Sequence, residues 1–431
     1  MKDYFQNIMP DSLTGALFAV EGIKDAAVIL NGPTGCKFYH SAISDYQFPR
    51  ELSFDPLNYP EEFYFGQPRI PCTYLDGYDY VYGSSEKLEK MLRDIEGKGH
   101  KLVAVVNSPG AALIGDDLNR FLKNEVKDTL CFSIESTGFS GEFGDGFQKA
   151  VIKILEAVPM KPRKVIPKSV NLVGISINNK YYEGNIKEIE RLLKLCGIRV
   201  ISTLCAGDDF DTIKNSNQAA LNVILYPEYG LELAKWMEKE YHMPYVFCKD
   251  GVPIGFESTE NFIKNICEKL GVDPFYSLEE IQKARARSFL YLSRFNSLTG
   301  LPKGASFSIK GEGSVAYAMT KWLYSYLGMI PASIQLLGSN DKKIKEKLYA
   351  FLEKIGFEDT LESNIYSKDA EIVFADGNTI AQLRLKNKSF TGVEIGLPSL
   401  GYIDITPKAM MGVKGALMFV EQVINGLQFS Q

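Results

Sequence analysis

Ala26-Ala27-Val28-Ile29-Leu30 is an apolar run of strand length that stops at Asn31-Gly32-Pro33, and Gly35 then permits a tight turn into the periodic residues from Lys37 onward. This strand–turn–helix unit constrains the fold most, because it recurs. Lys101–Asn107 reads as a second buried strand broken by Ser108-Pro109-Gly110, and Leu130–Ile134 as another. A helix is expected over Glu86–Ile95, with Ser84 or Ser85 as its cap, and a further one opening at Leu113–Leu118. Parallel neighbours need a crossover connection, so repeated units of this kind dictate a parallel sheet with helices on both faces. Ligands of such sheets sit at the C-terminal ends of the strands.

Two more sets follow a Lys/Pro-rich linker, Val158–Lys164. The first has strands at Val170–Ile177, Val200–Leu204, Leu221–Leu225 and Tyr245–Cys248, with helices at Ile186–Leu195 and Leu231–Lys239. The second has strands at Ser306–Ile309, Ser333–Leu337, Ile372–Ala375 and Gly392–Ile395, with a helix at Val315–Leu327. The expected fold class is α/β, as three Rossmann-like domains with parallel sheets flanked by helices. They span 1–165, 166–285 and 286–431, the last ending in a helix. No convincing sequence repeat relates the three.

Composition narrows the function. At 431 residues the chain is long enough for several cores, and 45% hydrophobic with 23% charged residues is ordinary for soluble domains. A net charge of -5 argues against nucleic acid as a partner. No apolar stretch reaches the roughly 18 residues of a membrane span, and the N-terminal residues do not read as a signal peptide. A cytoplasmic location is expected, without a membrane partner. Cysteines stand at 36, 72, 131, 196, 205, 248 and 267 with no Cys-x-x-Cys pair. A disulfide framework is not expected in a reducing compartment, and a metal site must be assembled from distant segments or two chains.

Cys36 falls where a helix begins, and the unpaired N–H groups and the dipole there favour thiolate over thiol. His40, four residues on, is expected to serve packing or to support the site rather than to ligate. Tyr74, Tyr78, Tyr80 and Tyr82 follow Cys72 at alternate or nearby positions and read most simply as a strand's aromatic face. Asp116-Asp117 and Asp208-Asp209 are explained by helix capping. Gly311-Glu312-Gly313-Ser314 reads as a plain strand-to-helix turn, since it lacks the full dinucleotide-binding spacing. The remaining cysteines are expected to be structural.

In order, the chain carries Gly32-Pro33-Thr34-Gly35-Cys36, Cys72, Tyr82-Gly83, Ile114-Gly115-Asp116-Asp117, Glu135-Ser136-Thr137-Gly138-Phe139, Gly146-Phe147 and Gly392-Val393-Glu394-Ile395-Gly396-Leu397-Pro398. This combination resembles the nitrogenase component 1 superfamily over nearly the whole chain. The resemblance implies an iron–sulfur cluster at a subunit interface, held by Cys36 and Cys72, with Gly35 and Gly83 at the same site. The third family cysteine is replaced by Pro109. Tyr226 stands where the cofactor cysteine of the catalytic nitrogenase subunit would be, so a molybdenum cofactor is not implied.

Two cysteines per chain would supply four thiolates in a dimer, enough for one shared 4Fe–4S cluster. The dimer implied is a homodimer, or a heterodimer with a related component 1 subunit. The implied activity is that of a nitrogenase-like oxidoreductase. An ATP-dependent iron–sulfur reductase, similar to the nitrogenase iron protein, would pass electrons through the cluster to a small-molecule substrate. A metal-cluster assembly scaffold and a cluster-free α/β binding protein are the alternatives.

Overall fold

The structure, a computed structural model, describes residues 10–33, 35–36, 70–96, 98–125, 129–135, 141–338, 342–386, 388–399 and 404–429. Every strand pairing among them is parallel, and helices flank the sheets. The α/β expectation holds. The first sheet has the order β1-β2-β3, from Ala26–Asn31, Leu102–Asn107 and Leu130–Ile134. The second is β5-β4-β6-β7, from Ser169–Val173 (β4), Arg199–Thr203 (β5), Leu221–Ile224 (β6) and Tyr245–Phe247 (β7). The third is β11-β10-β8-β9, from Ser306–Glu312 (β8), Ile330–Leu337 (β9), Ile372–Asp376 (β10) and Thr391–Gly396 (β11). β1, β2, β4, β6 and β10 are buried along their whole length, which is why they read as continuous apolar runs.

The second and third sheets share one topology, although no sequence repeat announces it. In each, the chain runs from the first strand to an edge, then returns to the other side of that first strand. The reversal leaves a crevice between β4 and β6 in one sheet and between β8 and β10 in the other, the positions where open α/β sheets take ligands.

The first sheet is braced by two helices, Ser12–Glu21 and Phe143–Ala157, which cross with backbones almost touching. A Cβ on Gly146 would lie 1.8 Å from the carbonyl oxygen of Ser12, and one on Gly15 would lie 2.0 Å from that of Phe143. Only glycine permits this approach.

The 25-residue helix Phe275–Thr299 is continuous through position 285. The last helix, Gly412–Phe429, returns to the second sheet's layer. Its first turn is held by Glu188, whose Oε1 accepts from the backbone N–H groups of Val413 (3.0 Å) and Lys414 (3.2 Å). Arg191 binds the same carboxylate through Nε and Nη2. An anionic cap in a dry site is worth more than a surface one. Glu188→Ala is expected to cost about 3 kcal/mol in urea unfolding, from the loss of charge-assisted hydrogen bonds, and Glu188→Gln about half as much. An unchanged midpoint in the alanine variant would refute the role.

Candidate functional site

At the C-terminal edge of the first sheet, the separate sequence motifs become one hydrogen-bonded network. Asn31 and Asn107 end β1 and β2 in register, and Asn31 Nδ2 donates to Asn107 Oδ1 (2.9 Å) and to Ser84 Oγ (3.2 Å). Thr73 Oγ1 donates to Asn31 Oδ1 (2.8 Å) and accepts from Gly32 N–H (3.0 Å). Ser84 gives both its N–H (2.6 Å) and its hydroxyl (2.7 Å) to Asp116 Oδ2. Gly83, at φ 101°, must be glycine for its backbone conformation, and a Cβ there would stand 3.1 Å from Asp116 Oδ1.

Ser84 is the N-cap of the helix Ser85–Ile95, as expected, although its side chain makes no capping bond there. One reading is corrected: Asp116 ties the Gly83-Ser84 turn instead of opening a helix, which starts at Leu118. Asp117 Oδ1 does accept from Arg120 N–H, 3.1 Å away.

The network fixes the loop that carries Cys72. That residue is buried alongside the end of β1, bridged to Leu30, and its thiol donates to the carbonyl of Gly32 at 3.2 Å. Cys36 is half-buried just past the Pro33 turn, its N–H bonded to the Pro33 carbonyl, with Gly35 exposed beside it. The expected bias toward thiolate is not found in this chain. Burial, with the negative charge of Asp11, pushes the Cys36 thiol up from its ordinary value. The desolvation outweighs a helix end of which only residues 35 and 36 are described.

The Pro33 carbonyl lies between the two cysteines, 3.2 Å from Cys36 N and 3.9 Å from Cys72 Sγ, and Tyr80 is near both. Burial, and then the neighbouring sulfurs of Cys36 and Cys72, raise its phenol, against the hydrogen bond from Ser108. The tyrosines do not form a strand face. Gly77–Tyr82 is a helix entered through an Asp76 capping box, and Tyr78 stacks near Tyr82 with ring centroids 4.5 Å apart. Tyr78, Val81 and Tyr82 are exposed, as is Leu113 beyond the end of β2. Pro109 begins a short helix capped by Ser108. His40 lies outside the described residues. No group of three or more His, Cys, Asp or Glu side chains able to hold a metal occurs among the described residues. Cys131 is half-buried, and Cys196, Cys205, Cys248 and Cys267 are buried.

A cavity of about 300 Å³ opens where the two crevices face each other. The loop after β4 contributes Asn178, Asn179 and Lys180; the end of β6 leads into Tyr226, Glu228 and Tyr229. The third sheet adds Lys310, Gly311 and Glu312 from β8, Asp376 from β10, and Ile395 to Pro398 from the end of β11 onward. The N-terminus of Phe143–Ala157 closes one side. No cysteine or histidine lines it among the described residues. Asn178 Oδ1 is buried with no hydrogen-bond partner among the described residues.

A family model for nitrogenase component 1 type oxidoreductases matches residues 12–428. The chain belongs to that family. It is 26% identical to the nitrogenase iron-molybdenum cofactor biosynthesis protein NifE of Clostridium pasteurianum, over 63% of this chain and 55% of that protein. It is 23% identical to a subunit of the light-independent protochlorophyllide reductase of Stigeoclonium helveticum, over 79% of this chain and 67% of that one. It is 22% identical to the nitrogenase molybdenum-iron protein beta chain of Methanococcus maripaludis, over 95% and 91%. Among solved structures, nitrogenase Cp1 at pH 6.5 superposes with a TM-score of 0.77 at 18% identity, covering 98% of this chain and 92% of that one. The component 1 fold is therefore shared throughout.

Within this member of the family, the sequence reading missed the cavity's charged wall. Lys310 and Glu312 interrupt an otherwise uncharged strand; β8 runs on through Gly311, and the expected strand-to-helix junction follows at Gly313. That interruption was the available signal.

Proposed function

We propose that this chain is the electron-accepting component of a nitrogenase-like reductase. The observation that carries the reading is that Cys36 and Cys72 meet at one turn, the Pro33 carbonyl lying 3.2 Å from Cys36 N and 3.9 Å from Cys72 Sγ, beside an exposed aromatic helix. The donor set is two thiols, which fits half of a four-thiolate cubane. A second copy, or a related component 1 subunit, would supply the other half across the face bearing Tyr78, Val81 and Tyr82, a patch of the kind that marks an interface. Gly35 and Gly83 shape the two turns around this 4Fe–4S site. When bound, the cluster would supply one-electron relay at low potential.

The chain's own residues do the rest. The Asn31–Thr73–Ser84–Asp116 network holds the Cys72 loop in place. An ATP-dependent iron–sulfur reductase is the proposed electron source. The cavity is the proposed substrate site. Its wall of amides, carboxyls, lysines and tyrosines, with no thiol or imidazole among the described residues, suits an organic molecule better than a metal–sulfur cofactor. Tyr226, in the place of a cofactor cysteine, is buried in that wall. The division into 1–165, 166–285 and 286–431 belongs to the same proposal, with the helix Phe275–Thr299 linking the last two.

The similarity to NifE favours one other reading, a scaffold that passes on a metal cluster. Iron and sulfide content of anaerobically purified protein decides first. About four irons per dimer are expected for the shared cubane. Iron that transfers to an acceptor protein without any reductase-dependent turnover would favour the scaffold. No iron after reconstitution would overturn both.

A further inference from the structure

We propose that Glu312 is the cavity's acid, the residue that gives a proton to the reducible molecule bound there. This rests on the reductase reading above. Glu312 ends β8 and Glu228 opens the helix Pro227–Tyr241, so two carboxyls from two different domains meet on one cavity wall. Their surroundings differ. Glu228 Oε1 accepts the backbone N–H of Ser314 at 2.7 Å, in the first turn of the 15-residue helix Gly313–Leu327, where a negative charge is favoured. Glu312 is the N-cap residue of that same helix, but its side chain makes no capping hydrogen bond to it. Its Oε1 accepts the Tyr229 hydroxyl, which leaves Oε2 to carry a proton.

Two carboxyls this close do not both ionise, and the one with the weaker support for its charge keeps the proton. Burial, and then the charge of Glu228, drive Glu312 well above the usual carboxyl range. The other titratable groups facing it are the phenols of Tyr226 and Tyr229; Lys310, two residues back on the same strand, lines the cavity but turns its ammonium to Thr379 and the Tyr366 ring. The surface Glu312 retains belongs to a residue that borders the cavity. The arrangement is that of a stored acid beside a second carboxyl held by a backbone N–H.

Reducing one unsaturated bond takes two electrons and two protons. The electrons come singly from the low-potential iron–sulfur reductase. One proton leaves Glu312 as its Oε2–H bond breaks and a bond to the substrate atom forms. The Tyr229 hydroxyl then holds the new carboxylate. Water supplies the second proton and the one that restores Glu312.

The test uses the protein as purified and needs no reductase, cluster or identified substrate, so its failure is distinct from failure of the reductase reading. Infrared difference spectra in H2O and D2O should show a neutral carboxyl at pH 7 that exchanges within minutes. Glu312→Gln should remove this band. Glu228→Gln should keep it but move its disappearance down by about one pH unit or more, because the neighbouring charge is gone.

Stability gives a second readout. A carboxyl whose pKa is raised on folding binds a proton that the unfolded chain releases, so it costs stability as pH rises above the unfolded value. Glu312→Gln should therefore gain on the wild type between pH 5 and pH 8. A missing band at pH 7, a band that survives Glu312→Gln, or one that does not exchange would each overturn the proposal.

Discussion

Cys36→Ala and Cys72→Ser are each expected to strip the protein of iron, from about four atoms per dimer to less than one, because either change removes half of the four thiolates a cubane needs. The variants are chosen so that folding and ligation can be told apart. Cys36 is half-buried, so its truncation disturbs little packing. Cys72 is fully buried and donates to the Gly32 carbonyl, and serine keeps both the size and the donor. Cys131→Ala is the control: its sulfur lies on the edge strand β3, with only a 3.9 Å contact to the Leu122 carbonyl, and iron should be retained.

A shared cluster also binds the two chains together, so the cysteine variants should shift toward monomer in size-exclusion chromatography. Full iron content in both would mean that Cys36 and Cys72 are not the ligands. Loss of iron with an unaltered dimer would mean that the cluster does not bridge subunits.

The sequence made the strand–turn–helix rhythm legible because buried parallel strands must be apolar on both faces, as β1 and β2 are. Strand ends moved by only a few residues: Val170–Ile177 shortened to Ser169–Val173, whereas Ser306–Ile309 lengthened to Ser306–Glu312. The misread elements share a cause. Alternating tyrosines mimic a strand, but Asp76 starts a helix there, and its capping box is a local contact that outweighs β-propensity over only six residues. Asp116 looked like a cap because its true partners, the N–H and hydroxyl of Ser84, are 32 positions away. The cavity was hidden for the same reason, since its wall draws on residues from Pro10 to Met410 and no local pattern joins them. Glu188, which reads as one more charge on an amphipathic helix, is buried against a helix more than two hundred residues later.

Lys180→Met is expected to cost about 3–5 kcal/mol in urea unfolding, the usual penalty for removing one partner of a buried ion pair. Lys180 stands in the loop after β4, and its ammonium contacts Glu394 of β11 at 3.2 Å, with Ser399 and Asp404 completing its set. Both side chains of the Lys180–Glu394 pair are at most 2% exposed. An ammonium has three hydrogens, and here all three have acceptors within the protein. Lys180 is therefore a strut between the second and third sheets and has no donor left for a ligand, although it lines the cavity. Methionine keeps the length of the stem, so the loss isolates the charge. Glu394 then remains in a dry site without the Lys180 cation, and the loss of that charge carries most of the penalty. Lys180→Met with Glu394→Gln should accordingly recover more than half of the loss, because no unbalanced charge is left inside. A single variant as stable as the wild type, or a double variant worse than the single, would show that this pair does not hold the two sheets together.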